Sequence, residues 1–307
     1  MPYRFRGYSS PSRFGQPAPV QRACDFRNIP TSAPAHDVTQ PRVTCTQQNA
    51  FNVADPFSIV RKAAGRAVKM LDNTIGELIN ARAAICRGAA PPSLRDLTVG
   101  WLRDHLGVCV DDVRVWTAGT FVNGSVAEVI RRLVRVRNLI ASNELRYSCS
   151  SPQCQTDFWA FVIDSDADGN CLPGTPMMLI RLCRNFWVPG TFPDGTTVPG
   201  DVHAEFQAQT IIHEASHLTH CTEDKTGRTI GVAECLAQFV AATNGSPLDP
   251  RFTDRCSASN RCAPAVAAKL SGSPRFGAVG HPSPQIRGVT FRPQDAIFPK
   301  ARPGARR

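Results

Sequence analysis

The chain has 307 residues, 42% of them hydrophobic, which is enough for one large domain or two small ones with a real core. No run of about 18 uncharged apolar residues occurs, which argues against a membrane-spanning helix. The sequence also lacks GxSxG, a phosphate-binding glycine loop and a dinucleotide fingerprint, so the hydrolase and nucleotide-binding classes that carry those motifs drop out.

In chain order, residues 1–54 are rich in Pro, Ser, Gln and Arg without periodicity and read as an extended arm. A long helix follows over 55–86. Asp55 is its cap, Pro56 lies in its first turn, and Val60, Ala64, Ala67, Leu71, Ile75 and Leu78 form its apolar stripe. "PPSLRDLTVGWLRDHLGV" gives a shorter helix. "NGSVAEVIRRLVRVRNLIASN" gives another, with a Ser125–Glu128 capping box and Arg131, Arg132, Arg135 and Arg137 mostly turned outward. That arginine group could grip phosphate, although an exposed helix face explains it without a ligand.

"DFWAFVI" and "PMMLIRLC" read as two apolar strands joined by the loop "DSDADGNCLPGT", with Trp159 and Trp187 serving the core. Asp201 is read as the cap of a helix through "VHAEFQAQTIIHEASHLTH". "TIGVAECLAQFVAATN" is a final helix ending at Asn244–Gly245. The composition then returns to Pro, Gly, Ser and Arg. A folded domain over 55–250, helical with a small sheet, therefore lies between an arm and a basic tail at 251–307.

The net charge of +10 is uneven. Arg251–Arg307 carries eleven Lys/Arg against two Asp, whereas Ser151–Pro250 carries twelve Asp/Glu against four Lys/Arg. The tail could bind an anionic surface, but a solvated arm accounts for it more simply. The sequence carries no signal for an oligomeric state.

Twelve cysteines, an even number, suit a disulfide framework in an oxidising compartment. Pairing sequence neighbours gives Cys24–Cys45, Cys86–Cys109, Cys149–Cys154, Cys171–Cys183, Cys221–Cys235 and Cys256–Cys262. No CxxC pair favours a zinc cluster instead. "MPYRFRGYSSPSRFGQPAP" lacks the apolar run of a secretory signal, so the expectation is a secreted or otherwise exported protein using a route that this segment does not reveal, or a leader missing from this sequence.

The most specific motif is HExxH in "TIIHEASHLTHCTED". His213 and His217 are four apart, share one helical face, and can bind one zinc ion. Glu214 stands where it can take a proton from a metal-held water. Such a motif arises by chance in on the order of one in a few hundred chains, and the helical period around it raises its weight.

"TIIHEASHL", preceded by "MMLIRLCRNFW" and "RYSCSSPQCQTDFWAFV", resembles the deuterolysin and peptidyl-Lys metalloendopeptidase family, the aspzincins, from about Ala63 to Ser246. The resemblance implies an α+β, mainly helical, zincin-like metallopeptidase fold with one catalytic Zn2+, a protein or peptide substrate, and a preference for lysine after the cut. In that family an Asp in a Gly-Thr-x-Asp-Tyr-x-Tyr-Gly loop completes the metal site. Here Thr222-Glu223-Asp224 fits its core, but Cys221 replaces the glycine, both tyrosines are absent, and Asp224 lies nearer His217.

Glu234, early on the next helix, is the rival third ligand in an arrangement similar to thermolysin-like enzymes. A Cys221–Cys235 bridge would bring it close. Either Asp224 or Glu234 can serve. His220, or His203 upstream, could replace the missing tyrosine as oxyanion donor.

"DSDADGN" opens like a calcium loop through Asp164, Asp166 and Asp168. Its twelfth position is Thr175 rather than Glu, so a tight turn is the simpler reading, and any Ca2+ there would be weakly held. Two readings of the whole chain remain: a zinc metalloendopeptidase, or an inactive disulfide-stapled binding protein whose basic arms hold an anionic partner.

Overall fold

The computed structural model describes residues 24, 40–46, 50–89, 97–149, 154, 159–163, 178–189, 200–222, 224, 231–248 and 256. All belong to a compact unit that runs from Met1 to Val266. The fold is α+β, mostly helical among the described residues, with a small four-stranded sheet.

The long first helix, α1 (Pro56–Cys86), starts as its sequence dictates: the Asp55 carboxylate accepts from the Ser58 N–H at 3.0 Å, with Pro56 at the helix start. Its stripe, Val60, Ala64, Ala67, Leu71, Ile75 and Leu78, is wholly buried. α2 (Leu97–Leu106) and the short α3 (Val113–Thr117) follow.

α4 (Val126–Ala141) carries the expected cap, Ser125 Oγ accepting from Glu128 N–H at 3.1 Å. The Glu128 side chain reaches back to the Gly124 N–H, one residue before the usual target. α5 (Arg184–Trp187) is a single turn. α6 (Gly200–His220) is the motif helix, and α7 (Ala233–Thr243) closes the set, stopping at Asn244 with Gly245 at φ 65°. Asp201 falls inside the first turn of α6, not at its cap.

The sheet has the order β1-β2-β4-β3, with β1 (Arg42–Val43) and β2 (Arg146–Cys149) parallel, β2 and β4 (Leu179–Leu182) parallel, and β3 (Ala160–Phe161) antiparallel to β4. The two strands expected from the apolar runs contain β3 and β4. β2, which holds the Tyr147-Ser148-Cys149 segment, is central and was not predicted. β1 lies in the arm: Arg42 pairs with Arg146, Thr44 N–H donates to the Tyr147 carbonyl at 2.9 Å, and Ala50 is fully buried. The end of the arm at residue 54 is thus corrected, because backbone pairing and a disulfide draw this segment in without side-chain periodicity.

α1 packs against α4 and α6, while α6 also contacts α4 and α7. An Arg66–Glu205 ion pair at 2.7 Å bridges α1 and α6. The outward arginine face of α4 is also corrected. Arg137 is buried against Asp72 at 2.8 Å, Arg131 and Arg132 are largely covered, and only Arg135 is exposed. Trp159 and Trp187 are buried as expected, Trp187 on α5 rather than on a strand.

Four disulfides join described cysteines: Cys24–Cys86, Cys45–Cys149, Cys154–Cys183 and Cys235–Cys256. Each of the six neighbour pairings is overturned, since at least one partner of each is bonded elsewhere. Short loops cost less entropy to close, but the folded geometry decides which sulfurs meet. Among the described residues no helix is long and apolar enough to cross a membrane.

Candidate metal centre

The rings of His213 and His217 leave α6 one turn apart, with their centroids 4.8 Å and their Nε2 atoms 3.1 Å from each other. The helix then stops. Cys221 takes a left-handed backbone at φ 51°, and its N–H closes on the His217 carbonyl at 2.9 Å. Glycine is favoured in that conformation, and a side chain there costs roughly 1–2 kcal/mol. The turn is made with a cysteine that is itself disulfide-bonded, to a partner other than Cys235.

The reversal carries Thr222 and Asp224 back over the histidines. The Thr222 carbonyl accepts from His217 Nδ1–H at 2.7 Å. A carbonyl cannot donate, so Nδ1 keeps the ring proton and the neutral ring presents its Nε2 lone pair. Thr222 Oγ1 lies 2.8 Å from Ser216 Oγ, whose hydroxyl donates to the His213 carbonyl. The Thr222 hydroxyl therefore donates to Ser216 and ties the loop to the helix.

Asp224 Oδ1 lies 3.2 Å from His213 Nε2 and 3.1 Å from His217 Nε2. Three Lewis bases thus form a nearly equilateral triangle. A tetrahedral zinc with bonds of about 2.0–2.1 Å spreads its ligands about 3.3–3.4 Å apart. The donor set and its spacing fit such an ion to a few tenths of an ångström.

Without a cation, a proton must relieve the convergence. Burial opposes charge on His217, but the Asp224 carboxylate, Glu214 and the Thr222 carbonyl outweigh it and push the imidazole up to about 9. Burial also raises Asp224, yet hydrogen bonds and charge from His213 and His217 hold it well below the usual carboxylate range.

Glu214 is buried, with Oε1 3.9 Å from His213 Nε2. Burial raises its pKa, the two histidines pull it down, and Asp224 and Glu234 push it further up. Glu234, in the first turn of α7, is also buried. A carboxylate oxygen of Glu234, one of Asp224 and a ring nitrogen of His213 fall within 4.8 Å of one another. Glu234 arrives there because α7 packs on α6, without the bridge to Cys221 that the sequence suggested. Both rival acids therefore reach the site, Asp224 touching both rings.

The two histidines considered as oxyanion donors, His220 and His203, are held by backbone carbonyls. His220 Nε2–H donates to the Arg132 carbonyl at 3.1 Å. Burial, then the charges of Arg132, Arg131 and Arg135, lower its pKa to about 4 despite that bond. His203 Nε2–H donates to the Asn185 carbonyl at 3.0 Å, with its ring against Trp159, and burial lowers its pKa. Each ring has that nitrogen committed to a backbone carbonyl, so neither offers it to an oxyanion. Asp164, Asp166, Asp168 and Thr175 lie outside the described residues. Sequence reasoning missed Thr222 and Ser216 as the residues that orient His217; a role played through a main-chain carbonyl leaves no signal in residue type.

No family model matches the chain, and no curated protein matches it.

Proposed function

We propose that this chain is an exported zinc-dependent endopeptidase, a divergent relative of the aspzincins that its motif helix resembles. The observation that carries the reading is the triangle of His213 Nε2, His217 Nε2 and Asp224 Oδ1, with sides of 3.1–3.2 Å, beside the buried carboxyl of Glu214. His213, His217 and Asp224 would hold the ion, with Glu234 supporting them.

When bound, zinc supplies Lewis acidity, which acidifies water and polarises a carbonyl. Glu214 takes a proton from the attacking water as its oxygen bonds to the carbonyl carbon. It then hands that proton to the departing amide nitrogen as the C–N bond breaks. Glu214 is buried beside the histidines, so the same carboxyl is in place for both transfers. His217 stays oriented throughout by the Thr222 carbonyl. The lysine preference implied by the resemblance belongs to this reading, and the acidic balance of residues 151–250 is compatible with it.

The test pairs cleavage with metal content. The zinc-loaded chain should cut an unfolded protein, with the new N-termini mapped by mass spectrometry. Glu214→Gln should retain its zinc and lose activity by about 10²–10⁴-fold. Absence of cleavage by the zinc-loaded chain, or full activity in Glu214→Gln, overturns the reading and favours a binding protein.

A further inference from the structure

We propose that Asn123, on the turn leading into α4, is an N-linked glycosylation site whose first sugar covers the exposed ring of Phe121; this rests on export, as in the reading above, and not on the zinc centre.

An Asn-x-Ser/Thr tripeptide without proline in the middle is the acceptor for N-linked sugar. The chain has it twice, as Asn123-Gly124-Ser125 and Asn244-Gly245-Ser246. The tripeptides are identical, so residue type cannot choose between them. Their surroundings can.

Asn244 is the C-cap residue of α7, and its side-chain amide is engaged inside the fold. Nδ2 donates to the carbonyls of Met70 at 3.0 Å and Val240 at 2.8 Å, and lies 3.1 Å from Thr74 Oγ1. Oδ1 accepts from Asn73 Nδ2 at 2.9 Å. A sugar on Nδ2 would take one of its two hydrogens and push a ring between α7 and α1. A chain modified there does not reach this fold.

Asn123 is the opposite case. It is exposed, and no hydrogen bond among the described residues holds its side chain. It lies in a β-turn that Ser125 N–H closes on the Val122 carbonyl at 3.1 Å, with Gly124 in left-handed backbone at φ 75°. The turn before it, closed by Val122 N–H on the Gly119 carbonyl at 3.2 Å, carries Phe121. The two turns are pinned together, because the Ser125 hydroxyl donates to the Gly119 carbonyl at 2.9 Å.

On this fixed tip Phe121 is 85% exposed, and Val122 beside it is also exposed. The fold gains nothing from a phenyl ring held in water. A pyranose offers a face of C–H groups, and laying that face on the ring removes apolar surface from water. Phe121 and Asn123 are two residues apart, so their Cα atoms are separated by about 7 Å at most. A sugar bonded to Asn123 Nδ2 is within reach of the ring.

The fold also sets the timing. Ser125 is buried, its Oγ accepts from Glu128 N–H at 3.1 Å, and Gly124 N–H donates to the Glu128 carboxylate at 2.9 Å. A transferase that reads the serine hydroxyl finds it free only before the α4 cap closes, so the sugar is added ahead of folding. Asn123 Nδ2 bonds to C1 of an oligosaccharide carried on a lipid pyrophosphate. The C1–O bond breaks, the lipid pyrophosphate leaves, and the amide proton passes to a base of the transferase.

The full chain, given a cleavable leader, would be recovered from the secretory route of a eukaryotic cell and deglycosylated enzymatically in 18O-labelled water. The label separates a glycan site from an asparagine that lost its amide spontaneously. Peptide mapping should find 18O at residue 123 and none at residue 244. Asn123→Gln should lose the glycan, and Ser125→Thr, which keeps the hydroxyl, should retain it. After trimming to the first N-acetylglucosamine, its proton NMR signals should be shifted upfield by the Phe121 ring, a shift lost in Phe121→Leu. No 18O at residue 123, 18O at residue 244, or sugar signals unchanged in Phe121→Leu overturns the proposal. Neither zinc nor cleavage enters the readout, so a failed peptidase reading leaves it standing, and an unglycosylated chain that cuts protein leaves the peptidase reading standing.

Discussion

Asp224 and His217 decide how the site answers to pH. In the metal-free chain the folded pKa of His217 is raised to about 9 from an ordinary 6.5. The sign follows: this group contributes stability fully below about 6.5, and the contribution is lost as pH rises through about 9. Asp224 is depressed, so its contribution is present above the usual carboxylate range and disappears as pH falls through its own lowered value. Metal must displace the His217 proton. Zinc affinity, measured by competition with a chelator, should therefore rise by about tenfold per pH unit from 6.5 to 9 and flatten above. A flat affinity over that range would mean that the two side chains do not share a site. Ser216 and Thr222 act at the same scale, because they keep the ring of His217 from turning.

Elements bring these side chains together, and some of them are legible in the sequence. α1, α4, α6 and α7 announce themselves through caps and apolar periods, as Asp55, Ser125 and Gly245 illustrate. β1 and β2 do not, since Arg42–Val43 and Arg146–Cys149 are too short to display alternation and are fixed by backbone pairing. The left-handed turn at Cys221 is equally silent, because cysteine gives no hint of a conformation that glycine would advertise. At the site, the His213-Glu214-His217 spacing could be read directly, whereas the choice between Asp224 and Glu234 depended on how a loop and a helix return to α6. The cap of α4 matters beyond that helix, because the Arg132 carbonyl of α4 accepts from His220 at the end of α6. Ser125 Oγ accepts from Glu128 N–H and donates to the Gly119 carbonyl, both in buried surroundings. Ser125→Ala should cost about 1–2 kcal/mol in chemical denaturation. An unchanged midpoint would show that the helix start is held by other contacts.

Across the whole molecule, long-range disulfides replace the local ones that sequence spacing suggested. Cys45–Cys149 spans 104 residues and ties the arm to the central strand of the sheet, while Cys24–Cys86 spans 62 and reaches the end of α1. Cross-links of that span constrain the unfolded chain most, worth about 4–5 kcal/mol each on a chain-entropy view, and they fit an oxidising destination. Such pairings are illegible from spacing because they depend on which strands and helices become neighbours. Cys235–Cys256 anchors α7 next to Glu234 and so connects this framework to the site.

The most direct measurement is zinc content per chain after dialysis, for the wild type and for His217→Ala, Asp224→Ala and Glu234→Ala. The account predicts about one zinc in the wild type, none in His217→Ala, a severe loss in Asp224→Ala and substantial retention in Glu234→Ala. A wild-type chain that holds no zinc, or an Asp224→Ala chain that binds it as well as the wild type, would contradict the three-base centre on which the proposed function stands.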